Sequence, residues 1–452
     1  MVSLIDEIVS RANIAPNSIA IEGDSLCVSY NELLKLSYDY ATQINKEKIS
    51  NSWIGIDVSI GWKAYAAILG CWLTGNGYVP INFDFPESRI DEIEKQVGWE
   101  LLIDNSCDIT NSKTTDKIDV IKGGKAYLLF TSGTTGKPKG VPVTQENLMA
   151  FTSHYLNHKD IEFNSEDKFL QSYELTFDVS IFCFLMPFLV GGTLILPNET
   201  NSKQLGFFKA IRDFKVTVTS FVPSVIRLTL EALPRVVFPS IRYSFFSGES
   251  LLGSWAKVWI KSVPEAKVYN CYGPTETVIV CTEELLNNLN KDYFESKTPL
   301  PLGSKFEEIS FEIEEGEIVY SGRQVFNGYL NQEPINRYFS GDLAHFDENS
   351  KLIFDGRKDN QIQWNGYRIE LDEIDKVLTK SLNSWVKTVY LKEPQKLVVF
   401  SNQEIIKMEK EFTILLPSYY KPSRIIKINK LPLNVNGKVD INKLKVIAFK
   451  NI

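Results

Sequence analysis

The chain has 452 residues, 44% of them hydrophobic and 23% charged, with a formal net charge of −7. That length and apolar content suffice for a large buried core and favour more than one domain. An acidic balance without a basic tract excludes nucleic acid as the main partner. From the N-terminus, Met1 to Glu7 shows no basic segment ahead of an apolar run, so no secretory leader is expected. The apolar run Ala126 to Phe130 reads as a buried strand that feeds a polar loop. His154 and His158 are four apart and share a helix face, but no Glu stands between them in a zincin pattern. They read as a solvated pair, and a metal held by histidines is not expected. Val179 to Pro197 is rich in Phe, Leu and Ile but is interrupted by Pro187 and Gly191-Gly192. It reads as a buried helix, a turn and a strand Thr193 to Leu196, so no membrane is implied.

Further along, strands at Val216 to Phe221, Arg242 to Phe246 and Val268 to Asn270 alternate with helical segments, one of them after Pro223. Such alternation predicts an α/β fold around mostly parallel sheets. A boundary near Asp359 divides the chain into residues 1–358 and a small α+β unit, residues 359–452. The small unit is expected to hold a helix Leu371 to Leu382, strands Val386 to Leu391 and Lys396 to Phe400, and an exposed C-terminal tail. Six cysteines (Cys27, Cys71, Cys107, Cys183, Cys271 and Cys281) show neither Cys-x-x-Cys nor metal-ligand spacing, and read as reduced core or pocket residues of a cytoplasmic protein.

The most informative stretch is Thr131 to Gly140, where ten positions hold three glycines, four hydroxyl side chains and two lysines. These supply donors for several phosphate oxygens and little bulk to keep them away. Open α/β sheets place phosphate-binding turns after a strand, although Gly/Thr/Ser stretches are also ordinary surface turns. The common P-loop pattern is absent, because Lys137 follows Gly136 only three positions after Gly133 and is itself followed by Pro138. Four more motifs follow in order. They are Asn270-Cys271-Tyr272-Gly273-Pro274-Thr275-Glu276; Tyr338-Phe339-Ser340-Gly341-Asp342-Leu343; Gly356-Arg357-Lys358-Asp359-Asn360-Gln361 running to Gly366-Tyr367-Arg368-Ile369-Glu370-Leu371; and Leu431 to Asp440 around Asn436-Gly437-Lys438. Weaker echoes are Ser29-Tyr30-Asn31-Glu32-Leu33 and Gly77-Tyr78-Val79-Pro80-Ile81-Asn82 with Pro86 and Arg89.

This ordered set resembles the adenylate-forming superfamily, specifically the amino-acid adenylation domains of nonribosomal peptide synthetases and the D-alanine–carrier-protein ligases. The resemblance implies a large N-terminal domain that binds ATP and amino acid, and a small mobile lid with Asp359 as hinge. Such enzymes turn a carboxylate into an acyl-adenylate by attack on the α-phosphate, which makes cations obligatory. Lys438 is then the catalytic lysine, although an Asn-Gly-Lys turn is also an ordinary place for an exposed lysine. Glu276 holds Mg²⁺ and Thr275 meets a phosphate oxygen. Thr131, Ser132, Gly133, Thr134, Thr135, Gly136 and Lys139 wrap the β- and γ-phosphates. Tyr272 offers a face to adenine, with Asn270, Gly248 and Gly273 around the nucleotide. Asp342 accepts the ribose hydroxyls beside Arg357.

Asp178 matches the residue that pairs with the substrate ammonium, though an Asp there also suits a helix N-cap. By motif, the side-chain pocket is Val179, Phe182, Ser220, Phe245, Ser247, Cys271, Ile279 and Val280. It carries no charged side chain, which disfavours charged amino acids and leaves a small to medium apolar one, D-alanine included. Chain length beyond Lys438 leaves no room for a carrier domain, so a carrier protein bearing phosphopantetheine is expected in trans, its arm passing Gly366. Trp364-Asn365 departs from the basic residue many relatives have there. An acyl- or aryl-CoA ligase, or a binding module without turnover, are the competing readings.

Overall fold

The computed structural model describes residues 3–107, 123–133, 137–198, 202–296, 298–434 and 439–452. The chain divides into two compact units. One is Met1–Asn82, Val97–Leu129 and Gly140–Lys358; the other is Phe83–Gln96, Phe130–Lys139 and Asp359–Ile452.

The larger unit is α/β. Among the described residues its broadest sheet has the spatial order Ser304–Lys305, Thr282–Leu285, Lys267–Tyr272, Tyr243–Phe246, Val218–Phe221, Lys168–Leu170, Thr193–Ile195, Ile19–Gly23 and Leu26–Ser29. The central strands are parallel and buried on both faces, with Phe, Tyr, Val and Leu joined by the buried polar residues Thr219, Ser220 and Ser244. A second sheet orders Leu102–Ile103, Trp53–Asp57, Gly77–Ile81, Lys125–Thr131 and Lys139–Thr144. A third, antiparallel sheet runs Ser310–Glu314, Glu317–Ser321, Tyr338–Phe346 and Leu352–Arg357.

Local sequence explains several element ends. Ser29 caps the helix Tyr30–Lys46 and exchanges hydrogen bonds with Glu32 in a capping box, which accounts for the Ser-x-x-Glu spacing. The helix Val179–Val190 is apolar on every side and almost wholly buried, and it ends at Gly191 with φ of 78°. The strand Thr193–Ile195 follows, as expected for this interrupted apolar run. No helix among the described residues is long and apolar enough to cross a membrane. On the helix Lys63–Leu73, Gly70 lets the helix Tyr30–Lys46 approach closely, since a Cβ there would stand 2.8 Å from Tyr40 Cβ.

The smaller unit contains the helix Leu371–Leu382 and the antiparallel pair Val386–Leu391 and Lys396–Ser401, close to their expected bounds. The strand Arg424–Lys427 adds parallel to that pair, and Gln361–Trp364 pairs with Tyr367–Glu370 as a hairpin. The C-terminus departs from expectation. It is a helix, Ile441–Lys450, capped by Asp440, and Leu444 and Ala448 are fully buried against Val389, Leu391, Val398 and Phe400. A period-3.6 pair of apolar residues was therefore enough to dock a segment that reads as an exposed tail.

Candidate active site

Most of the candidate residues belong to the larger unit. Asp342 and Arg357 are direct partners in the antiparallel ladder of the third sheet, which brings their side chains together. Arg357 Nη1 donates to Asp342 Oδ1 at 2.7 Å and to the Ser340 carbonyl at 3.0 Å. Tyr272 Oη donates to Asp342 Oδ2 at 2.6 Å. Burial, and then the charge of Asp342, push the Tyr272 phenol well above its usual range, so it stays a donor.

The turn after Tyr272 is tightly built. A Cβ on Gly273 would lie 2.6 Å from Val280 Cα, so the chain folds back on itself only with glycine there. A 3₁₀ turn, Thr275–Thr277, then buries Glu276 completely. Tyr329 Oη donates to Glu276 Oε1 at 2.7 Å. Val278 and Ile279 follow with φ of 60° and 71°, a conformation that β-branched residues avoid and that marks strain at functional sites. The buried Gln324 amide holds this stretch by donating to the carbonyls of Thr277 at 2.9 Å and Val280 at 2.7 Å.

Val179, Phe182, Ser220, Phe245, Ser247, Cys271, Ile279 and Val280 are all buried. Phe182 and Phe245 meet edge to face at 5.2 Å, and Tyr155 packs on both, at 5.1 and 5.7 Å. Burial, with the Glu283 charge, pushes the Cys271 thiol well up, so it is neutral at this wall. Asp178 precedes the helix Val179–Val190 but makes no capping hydrogen bond through its side chain. Its charge is felt by the buried Tyr127. Gly248 has φ of 82°, and next to it Glu249 accepts from the Ser224 N–H at 2.7 Å, at the start of the helix Pro223–Thr229. Asn270 faces away from Cys271 on its strand, and its amide donates to the Pro301 carbonyl at 2.7 Å.

Within the smaller unit, Thr131, Ser132 and Lys139 flank the polar loop. A Cβ on Gly133 would stand 2.1 Å from the Lys137 carbonyl, so a larger residue is excluded there. Ser132 Oγ donates to the Arg368 carbonyl at 3.0 Å. Asp359 Oδ1 accepts from the Gln361 N–H at 3.1 Å, and Gly366 turns its hairpin with φ of 85°. Trp364 is buried and meets Tyr390 edge to face at 6.2 Å. Thr134, Thr135, Gly136 and Lys438 lie outside the described residues.

Expectations on cysteine and histidine are corrected. Cys27 is exposed rather than a core or pocket residue, and His158 lies past the end of the helix Gln145–Leu156 instead of sharing its face with His154. His154 and His158 are not a solvated pair, since both are largely buried and both point at Glu283. Nothing local signals this, because Glu283 lies on a strand more than a hundred residues later. Tyr155, Gln324 and Tyr329 also escape the sequence for want of any motif around them.

Comparison with known proteins agrees with this architecture. The D-alanine--D-alanyl carrier protein ligase of Bacillus licheniformis is 29% identical, with 98% of this chain and 99% of that one covered. The Vibrio cholerae adenylation domain AlmE, solved with glycyl-adenosine-5'-phosphate, superposes with a TM-score of 0.83 at 23% identity, covering 100% of this chain and 98% of that chain. The o-succinylbenzoate CoA synthetase of Bacillus subtilis has the same fold, with a TM-score of 0.79 at 20% identity over 97% and 98% of the two chains. Residues 9–330 match the family model described as AMP-binding enzyme, and the chain belongs to that family of enzymes.

Proposed function

We propose that this protein is a ligase that activates an apolar amino acid with ATP and passes it to the phosphopantetheine thiol of a carrier protein, in the cytoplasm. The observation that carries the reading is Asp178. It stands at the head of a buried apolar helix, makes no capping hydrogen bond through its side chain, and directly precedes Val179, the first of eight candidate pocket residues that carry no charged side chain. In amino-acid-activating relatives this position is an aspartate that pairs with the substrate α-ammonium, and Asp178 supplies the same carboxylate here. The likeness to a curated D-alanine--D-alanyl carrier protein ligase over nearly the whole chain supports the same class.

In this reading the substrate carboxylate attacks the α-phosphorus of ATP, the bond to the bridging oxygen breaks, and pyrophosphate leaves. Asp342, set by Tyr272 and Arg357, accepts ribose hydroxyls. Ser132, Thr131 and Lys139 meet the outer phosphates, and Lys438 offsets charge on the α-phosphate. Glu276 is a buried hard-oxygen donor and suits Mg²⁺, which would neutralise phosphate charge. The carrier thiol then attacks the acyl carbon and AMP leaves, with Asp359 as the lid's hinge and Gly366 beside the pantetheine arm.

The test is amino-acid-dependent ATP–pyrophosphate exchange over the L-amino acids plus D-alanine, with the parent and Asp178→Ala. Exchange with one apolar amino acid, lost in the variant through a raised KM while ATP still binds, is expected. Exchange that ignores Asp178, or turnover that requires coenzyme A, would replace this reading with a CoA ligase.

A further inference from the structure

Outside the nucleotide and acyl sites, two imidazoles and a carboxylate converge at the end of the helix Gln145–Leu156. His154 Nε2 lies 3.2 Å, and His158 Nε2 2.8 Å, from the same oxygen of Glu283, Oε1. One ligand atom from each residue falls within 4.8 Å of the others. We propose that His154, His158 and Glu283 form a binding site for a divalent transition-metal ion of the zinc type.

Spacing is the first argument. Bonds of about 2.0–2.1 Å to a tetrahedral zinc ion set neighbouring ligand atoms about 3.3 Å apart, so the two N···O separations need open by only about half an ångström or less. The second is the carboxylate itself. Glu283 is 9% exposed, and its Oε2 is buried with no hydrogen-bond partner. A desolvated carboxylate oxygen left bare is costly, and an ion held through both oxygens removes that cost. The third is that the rings are already set. His154 stacks on Phe306 with centroids 3.5 Å apart and planes 8° from parallel, and it meets His158 edge to face at 5.0 Å. Two imidazoles with one carboxylate select zinc, copper or nickel over magnesium or calcium.

One proton must move. The Asp160 N–H donates to His158 Nδ1 at 3.0 Å, which places the proton of the neutral ring on Nε2, where it faces Glu283. Ion binding at Nε2 sends that proton to Nδ1, so the ring stays neutral, and the exposed Asp160 amide turns to water. Glu283 stands directly opposite Cys271 in the antiparallel ladder. Side chains directly opposite in an antiparallel pair share a face, so an ion here would stand on the Cys271 side of the sheet and stiffen that wall. The site does not depend on the ligase reading.

The experiment uses the full chain, stripped with chelator, and measures zinc affinity by competition with a colorimetric chelator and cobalt(II) binding by its d–d absorption. Glu283→Gln and His158→Gln are compared with the parent and with His345→Ala, a change at the exposed histidine of another strand. Expected are one equivalent of zinc, a low-coordinate cobalt spectrum, a thermal midpoint raised by zinc, and affinity at least roughly tenfold weaker in both site variants but not in His345→Ala. If Glu283→Gln fails to fold without metal, His158→Gln carries the comparison. Absence of binding by the parent at micromolar zinc, or affinity unchanged in the site variants, would overturn the proposal.

Discussion

The Tyr272 hydroxyl holds Asp342 at 2.6 Å, and in the proposed function its ring faces adenine. Removing only the hydroxyl separates those roles. A hydrogen bond to a charged group is worth about 1.5–3 kcal/mol. Tyr272→Phe should accordingly raise the KM for ATP by roughly tenfold while leaving the KM for the amino acid nearly unchanged, as steady-state exchange kinetics would report. Gln324 acts on the turn Thr277–Val280. Gln324→Leu leaves the Thr277 and Val280 carbonyls unpaired beside a strained turn, at a cost of about 1–3 kcal/mol in chemical unfolding. Its kinetic signature is the reverse, a raised KM for the amino acid with ATP binding retained. An equal rise in both constants would mean that the turn supports the whole site rather than the acyl wall.

At the scale of elements, the sequence was most legible where a local rule decides the outcome. The helix Leu371–Leu382 and the strands after it follow from periodicity, and the Ser29–Glu32 capping box follows from a four-residue spacing. Motif residues such as Asp342 and Arg357 were legible as candidates, but not the ladder that pairs them. The docked C-terminal helix and the histidines aimed at Glu283 were not legible, because both depend on partners far away in the chain. The turn after Tyr272 lies between these cases. Its glycine is visible in the sequence, whereas the reason for it, Val280 Cα at 2.6 Å from a hypothetical Cβ, is visible only in the fold. Gly273→Ala must displace backbone, so a stability loss of about 1–3 kcal/mol is expected, with amino-acid-dependent exchange suppressed. A variant as stable and active as the parent would show that the turn relaxes freely.

At the scale of the molecule, the smaller unit is drawn from three separated stretches of chain. Its deepest polar cluster joins two of them. Arg89 and Glu373 are both buried, 3.5 Å apart, and Tyr420 Oη donates to the other Glu373 oxygen at 2.6 Å. Burial holds the Glu373 carboxyl above its usual range even though Arg89 and Tyr420 pull it down. Arg89→Leu leaves that carboxyl without its cation and should cost about 3 kcal/mol, whereas Arg89→Leu with Glu373→Leu together should recover most of the loss. Additive losses in this double-mutant cycle would show that the two groups act independently. Around the cluster, Phe85 meets Tyr419 edge to face at 5.9 Å, and Tyr367 stacks on Tyr419 at 4.1 Å. A chimera that exchanges only residues 359–452 between related enzymes would therefore transplant a body without its N-terminal third face. Swaps that carry 83–96 and 130–139 along with it respect the grain of the molecule, and protein engineers should cut there.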